Sequence, residues 1–272
     1  MKKATSRRRV GRFWLCSLLA LLLVAVTARA QDDGGIALAL EVAEVPAPLV
    51  VREVPSIQDW AREFAEQEEW DTSPEYLESY WQMDRKLRDT RLGTVMLGRF
   101  ASESAHHRGW QTWVLLFRSR TGTLKGVSPL LIQSPYTNTQ EHNVSAADMK
   151  LLGKRGQSSR LLWVELEDEM IHISRQDSEI AARTTTRLGY VFRVDKAGGL
   201  SCVACGIPIS SVRYERYKGE ATGALRVTFP KANVMKIEAG SANLPPGMAR
   251  WVGKYELSSG PAKPSEGTSH GG

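Results

Sequence analysis

The spacing of apolar residues changes character near residue 91. Before that point it has a helical period. After it, apolar residues alternate or form short continuous runs. In residues 56–90, Ser56 and Asp59 give a capping-box-like start, with Trp60 and Phe64 next at helical spacing. Thr72 or Ser73, with Pro74 at the first helical position, offers a second start. Tyr76, Tyr80, Met83 and Leu87 then recur at intervals of 4, 3 and 4, one stripe of a 3.6-residue period that Leu77 and Trp81 widen. The pattern predicts a helical segment over 56–90 with its stripe against a core. Docking of that stripe on a partner is the second reading.

From residue 91 to 257, ten short runs read as strands, among them "LGTVMLGRF", "WQTWVLLFRS", "LLWVELE", "LGYVFRVD" and "NVMKIEA". Tyr190, Phe192 and Val194 line one face, and so do Leu225, Val227 and Phe229. Turn signals such as "TGT" at 121–123 and "KAGG" at 196–199 separate the runs. The polar connection from Gln133 to Arg160 is predicted to hold a short helix, "SAADMKLL", capped by Ser145 and stopped by Gly153. The expected fold class is α+β and β-rich: an N-terminal helical pair packed on a mostly antiparallel β sandwich or partly open barrel. Runs such as "LRVTF" are too short for a membrane barrel, whose strands need ~10 residues.

The flanks differ in composition. Residues 31–55 carry three prolines and read as an extended arm with an edge strand around Leu49–Val51. Residues 258–272 are rich in Gly, Ser and Pro and read as a disordered tail. Residues 1–30 combine a basic start, an apolar run of 14 residues and Ala28-Arg29-Ala30, which together predict a cleaved secretory signal and an exported, periplasmic or secreted protein. Retention as an anchor is the alternative.

Export changes the charge picture. Residues 1–30 hold seven basic and no acidic residues, so the remainder has 29 basic and 30 acidic residues despite a sequence pI of 9.3. A nucleic-acid partner is therefore not expected. Residues 31–90 carry a net −10 and residues 91–272 a net +9. Packing of the two parts on each other is the simpler reading; an anionic membrane surface facing the basic part is the other.

Cys202 and Cys205 stand in C-x-x-C spacing and are the only cysteines after residue 30. Structural zinc needs four ligands, and haem attachment needs His where Gly206 stands. A redox dithiol and a structural disulfide remain. Pro208, Ile207 and Ile209 disfavour the helix that redox pairs use, so the disulfide reading pins a turn between two strands. Glu103, Ser104, His106 and His107, with Ser102, form a polar cluster that reads as a solvated loop or as part of a hydrolase site. His172 reads as a surface strand residue, and the acidic "VELEDEM" at 164–170 as a solvated turn. Asn143 matches a glycosylation sequon. Seven of the eight tryptophans lie beyond residue 30, placed for interlayer packing or for lining a ligand cavity. No metal or cofactor motif is present. The sequence thus predicts a non-catalytic envelope binding or assembly protein, its partner an envelope protein or a small apolar ligand. A thiol-disulfide oxidoreductase and an apolar-ligand carrier are the alternatives.

Overall fold

A computed structural model describes residues 49–102, 111–134, 137–257 and 263–264. Two antiparallel sheets dominate it, and they do not close into a barrel. The first sheet runs β1 (Val50–Glu53), β5 (Leu124–Gln133), β4 (Gln111–Ser119), β3 (Gly93–Phe100), β2 (Trp81–Asp89). The second is a meander from β6 (Gln140–Leu152) through β7 (Ser159–Ile173), β8 (Ile180–Asp195), β9 (Leu200–Glu215), β10 (Gly219–Lys231) and β11 (Val234–Ala239). It ends with β12 (Gly253–Glu256) and the two-residue β13 (Lys263–Pro264).

Three apolar cores organise these layers. Between the sheets lie Val95, Leu97, Trp113, Leu115, Phe117, Leu162, Val164, Tyr190 and Phe192 among others. On the far side of the first sheet, Met96, Phe100, Val114 and Leu116 meet helices α1 (Ile57–Gln67) and α2 (Pro74–Tyr80). Burial on both faces is why "TWVLLF" reads as a continuous apolar run and not an alternating one. The Ser56 hydroxyl caps α1 by accepting from the Asp59 amide at 3.0 Å, and Ser73 with Pro74 opens α2. Gly126 lets Trp60 lie flat on the sheet, since a Cβ there would sit 2.2 Å from the indole ring. On the far side of the second sheet, Leu161, Trp163, Val191 and Ile207 pack under Leu225, Met235, Ile237 and Tyr255. The short α3 (Pro246–Ala249) adds Met248 to this core.

Two stretches predicted as helical are strands, and each carries a bulge. The Tyr76–Leu87 stripe is helical only to Tyr80. From Trp81 the chain is extended and pairs with β3, with Asp84 bulged between Met83↔Gly98 and Arg85↔Leu97. The bulge puts Met83 and Leu87 on opposite faces, Leu87 against the core between the sheets and Met83 50% exposed, so the helical stripe does not survive as one side of the strand. "SAADMKLL" belongs to β6, with Ala147 bulged between Ala146↔Leu166 and Asp148↔Glu165. That extra residue places Val144, Ala146, Met149 and Leu151 on one face, an interval of three that imitates helical spacing. "VELEDEM" is likewise not a turn but the middle of β7. Residues of the expected tail lie outside the described ones except Lys263 and Pro264, which pair with Glu256 and Tyr255. The expected signal segment also lies outside them. The edge strand of the arm is β1, antiparallel to β5 from Val50↔Ser128 to Glu53↔Lys125.

One end of the sandwich is tied by a buried ion pair. Arg160, beside the β6–β7 turn, sets its guanidinium 2.8 Å from the Asp89 carboxylate at the β2–β3 turn, with side chains only 7% and 8% exposed. It also donates to the carbonyls of Leu151, Leu152 and Gly153. The other Asp89 oxygen accepts from the amides of Arg91 and Leu92. Burial raises the Asp89 carboxyl, but those two amides and Arg160 outweigh it and hold the group below the usual carboxylate range.

Candidate functional site

The cysteines do not pin a turn. The turn is Asp195–Gly199, closed by the Asp195 amide donating to the Gly199 carbonyl at 3.0 Å. Cys202 and Cys205 lie inside β9, opposite Phe192 and Tyr190, joined as a disulfide. In a regular strand, residues three apart face opposite ways. Here Val203 is bulged, with no partner on β8, so both cysteines face the core between the sheets, their Cα atoms 6.3 Å apart. Gly206 and Ile209 are bulged in the same way. Neither cysteine stands at a helix N-terminus, where the dipole would favour a thiolate.

Glu103, Ser104, His106 and His107 lie outside the described residues. His172 is an exposed strand residue, as its pattern indicates. Asn143 sits within β6, paired with Glu169.

The principal polar cluster was not foreshadowed by any motif. It occupies the end of the sandwich opposite Arg160, where β3 ends, β4 begins and β5 passes to β6. His142, 5% exposed, places Nε2 2.5 Å from Asp168 of β7 and Nδ1 2.8 Å from the Ser134 hydroxyl. The elements are those of a serine hydrolase, drawn from three places in the chain. The wiring differs in one respect. The Ser134 backbone amide also donates to Nδ1, at 2.8 Å. A backbone N–H is always a donor, so Nδ1 carries no proton and Nε2–H faces Asp168. The amide that would steady an oxyanion beside a serine nucleophile is therefore engaged by the base itself. The cluster is wired as a clamp on the start of the β5–β6 connection.

Neighbouring bonds extend that clamp. Gln133 donates Nε2 to the His142 carbonyl at 2.5 Å, and Arg85 donates to the Ala146 carbonyl at 3.2 Å. Side chains of the first sheet thus satisfy the outer edge of β6 where a ladder would otherwise be needed. Tyr190 donates to the Leu130 carbonyl at 2.7 Å, and burial, aided by the Asp168 charge, raises its phenol far above the ordinary range. Three polar atoms here are buried without a partner: Gln111 Oε1, Gln133 Oε1 and Trp113 Nε1.

At the opposite end, a shallow cleft of about 220 Å³ is lined by Leu152, Arg160, Arg193 and Asn233, with the Arg160 guanidinium already engaged by Asp89. Among the described residues no group of three or more His, Cys, Asp or Glu side chains is placed to hold a metal, and no helix is long and apolar enough to cross a membrane.

Compared with protein-family models, curated proteins and solved structures, the chain gives no match in any of the three.

Proposed function

We propose that the chain is an exported, non-catalytic binding or assembly protein of the cell envelope, and that it docks its partner on the projecting end of the second sheet. One observation carries this reading. Strands β7, β8 and β9 run 15, 16 and 16 residues, whereas β3, β4 and β5 opposite them run 8, 9 and 10. Gln133 and Ser134, at the end of the first sheet, bond His142, which pairs with Met170, so β7 outreaches the facing sheet by its last three residues, about 10 Å at roughly 3.3 Å per residue.

Toward that end the buried–exposed alternation stops. Glu167 to Ile171 and Val212 to Glu215 are half-buried on both faces of the sheet. One face carries Met170, Thr184 and Arg213 in a cross-strand row, the other Ile171, Arg183 and Tyr214. Tyrosine and arginine on a preformed, half-buried sheet are the residue types that anchor protein interfaces. The disulfide inside a strand supports a structural role for Cys202 and Cys205, and the clamp wiring of Ser134 supports a binding role over acyl transfer.

Photo-crosslinking residues placed at Thr184 and Tyr214, with Lys196 at the opposite end as control, test the docking surface in the native envelope. The expected result is one saturable product from the first two positions and none from Lys196. Equal labelling from all three, or none, removes the reading. Export is tested separately, by the mass of the mature chain, which begins at Gln31 if Ala30 precedes the cleavage site.

A further inference from the structure

We infer that the turn end of the sandwich, where Arg160 meets Asp89, docks on an anionic phospholipid surface. The inference is independent of the docking proposed for the opposite end, and it leaves Lys196 facing headgroups, where no protein crosslink forms.

Five turns adjoin there. Arg88 and Arg91 flank the β2–β3 turn, and Arg118 and Arg120 stand at the β4–β5 turn. Lys154 and Arg155 lie in the β6–β7 turn, Lys196 in the β8–β9 turn and Lys231 at the β10–β11 turn. All of these side chains are exposed. Contacts between turns join them into one surface. The Arg91 guanidinium donates to the Gly156 carbonyl at 2.5 Å, and the Lys196 amide donates to the Ser158 carbonyl at 2.9 Å. The Arg120 amide donates to the Leu92 carbonyl at 3.2 Å. A Cβ at Gly198 would sit 3.3 Å from Thr123, and one at Gly153 would sit 3.3 Å from Ala232.

The positive charge exceeds the local negative charge. Asp89 is held by Arg160, and Asp195 accepts from the amides of Ala197 and Gly199. Glu53 and Glu256, at the ends of β1 and β12, stand in register with Lys125 and Lys263 instead. Among the described residues, none of the exposed cations on these turns is ion-paired. The acidic stretch from Glu66 to Glu78 does not cover them. It lies at the other end of the first sheet, where the Tyr80 hydroxyl donates to the Asp71 carbonyl and the Ala101 amide to the Tyr80 carbonyl.

The layout selects the class of partner. Neighbouring hairpins of a sheet stand roughly 10 Å apart, and packed sheets are separated by about 10 Å. Cations on turns of both sheets are therefore spread in two dimensions, which suits a charged plane. A linear polyanion is matched by a groove that tracks its backbone, with aromatic rings for its bases. Among the described residues, the exposed large apolar side chains are Val50, Tyr76, Met83, Ile132, Ile180, Tyr217 and Val252, and none is on these turns. Bases find nothing to stack on, and no wedge enters the acyl chains, so contact stops at the headgroups.

Vesicle co-sedimentation tests this on the chain from Gln31 onward, which retains every residue of the three cores. The vesicles are phosphatidylcholine alone or phosphatidylcholine with about one-third phosphatidylglycerol. The expected result is binding to the anionic vesicles only, lost as salt rises from about 0.05 M to about 0.5 M. Each basic residue near such a surface is worth about fivefold in affinity, so Arg120→Gln with Arg155→Gln should weaken binding about 25-fold. Lys196→Gln with Lys231→Gln, on two other turns, should do the same. Arg175→Gln with Lys218→Gln removes equal charge at the opposite end and should weaken binding by less than about threefold. Absence of binding to anionic vesicles, equal binding to both kinds, or equal losses in all three variants overturns the inference. Tighter binding to double-stranded DNA than to the anionic vesicles also overturns it and makes the partner a nucleic acid.

Discussion

The Ser134 amide points its hydrogen at Nδ1 of His142 across 2.8 Å, and this one bond fixes the tautomer of the ring. With Nδ1 an acceptor, Nε2–H must serve Asp168. The hydroxyl of Ser134 is then an auxiliary contact. Ser134→Ala should therefore change stability by no more than ~0.5 kcal/mol, because the main-chain bond survives. His142→Leu should cost about 1–3 kcal/mol, since it leaves Asp168 and the Ser134 amide without partners. Urea unfolding of both variants checks the ordering. A fluorophosphonate probe should leave Ser134 unlabelled by mass spectrometry; stoichiometric labelling would show that a nucleophile had been missed.

Arg160 and Asp89 should be the most sensitive polar pair in the fold. Arg160→Leu strands a buried carboxylate and should cost about 3–5 kcal/mol in denaturant unfolding. The double change Arg160→Leu with Asp89→Leu should recover part of that loss. The pH dependence has a definite sign. The Asp89 carboxyl lies below its ordinary value of 3.8 in the folded chain. Its contribution is present above the unfolded value and is lost as pH falls through the lower, folded one. Stability should drop between about pH 4 and the folded value in the native chain, and less so in Asp89→Asn. Identical acid profiles would contradict this.

Reducing the disulfide should loosen the chain without unfolding it. A ring of four residues contributes about 2 kcal/mol on the chain-entropy account. For a chain of this size that corresponds to a fall in Tm of roughly 4–8 °C. The double variant Cys202→Ser, Cys205→Ser should match the reduced protein. Neither form should differ from the oxidised one in insulin reduction, where activity is expected from none; turnover by the native chain would revive a redox role.

Two glycines act as seats for tryptophan. A Cβ at Gly126 would fall 2.2 Å from the Trp60 ring, and one at Gly189 2.3 Å from Trp163. Neither glycine has positive φ, so the cost is purely steric. Gly126→Ala and Gly189→Ala should each destabilise by about 1–3 kcal/mol. In the background of Trp60→Leu, Gly126→Ala should cost markedly less, which a double-mutant cycle measures.

Much of the architecture was legible because burial leaves a plain signature. "TWVLLF" is apolar on both faces, and in "YVFRV" Tyr190, Phe192 and Val194 line one face. Ser56 and Ser73–Pro74 marked the starts of α1 and α2. The failure over "SAADMKLL" comes from the bulge: at Ala147 one unpaired residue shifts the parity of every later position in β6, and an apolar interval of three then passes for a helix. The clamp was illegible for another reason. Ser134, His142 and Asp168 lie on three elements, and only the register of β6 on β7 brings them together. "VELEDEM" hid Asp168 among acidic neighbours whose outward members, Glu165 and Glu167, face Arg187 instead.

Strand β9 has a further consequence. Its unpaired residues at Val203, Gly206 and Ile209 come at every third position, so the strand changes sides repeatedly along its first half. Cys202 and Cys205 serve the core between the sheets, while Val203, Ala204 and Ile207 serve the core beyond. One segment is thereby shared by two hydrophobic interiors, and its reading frame matters as much as its composition. Removing Val203 alone would close its bulge and leave Ala204 opposite Val191 and Cys205 opposite Tyr190, so every later side chain would keep its interior. For this stretch of backbone, the pairing with β8 is the tightly specified property, and the extra residue that each bulge holds is the looser one.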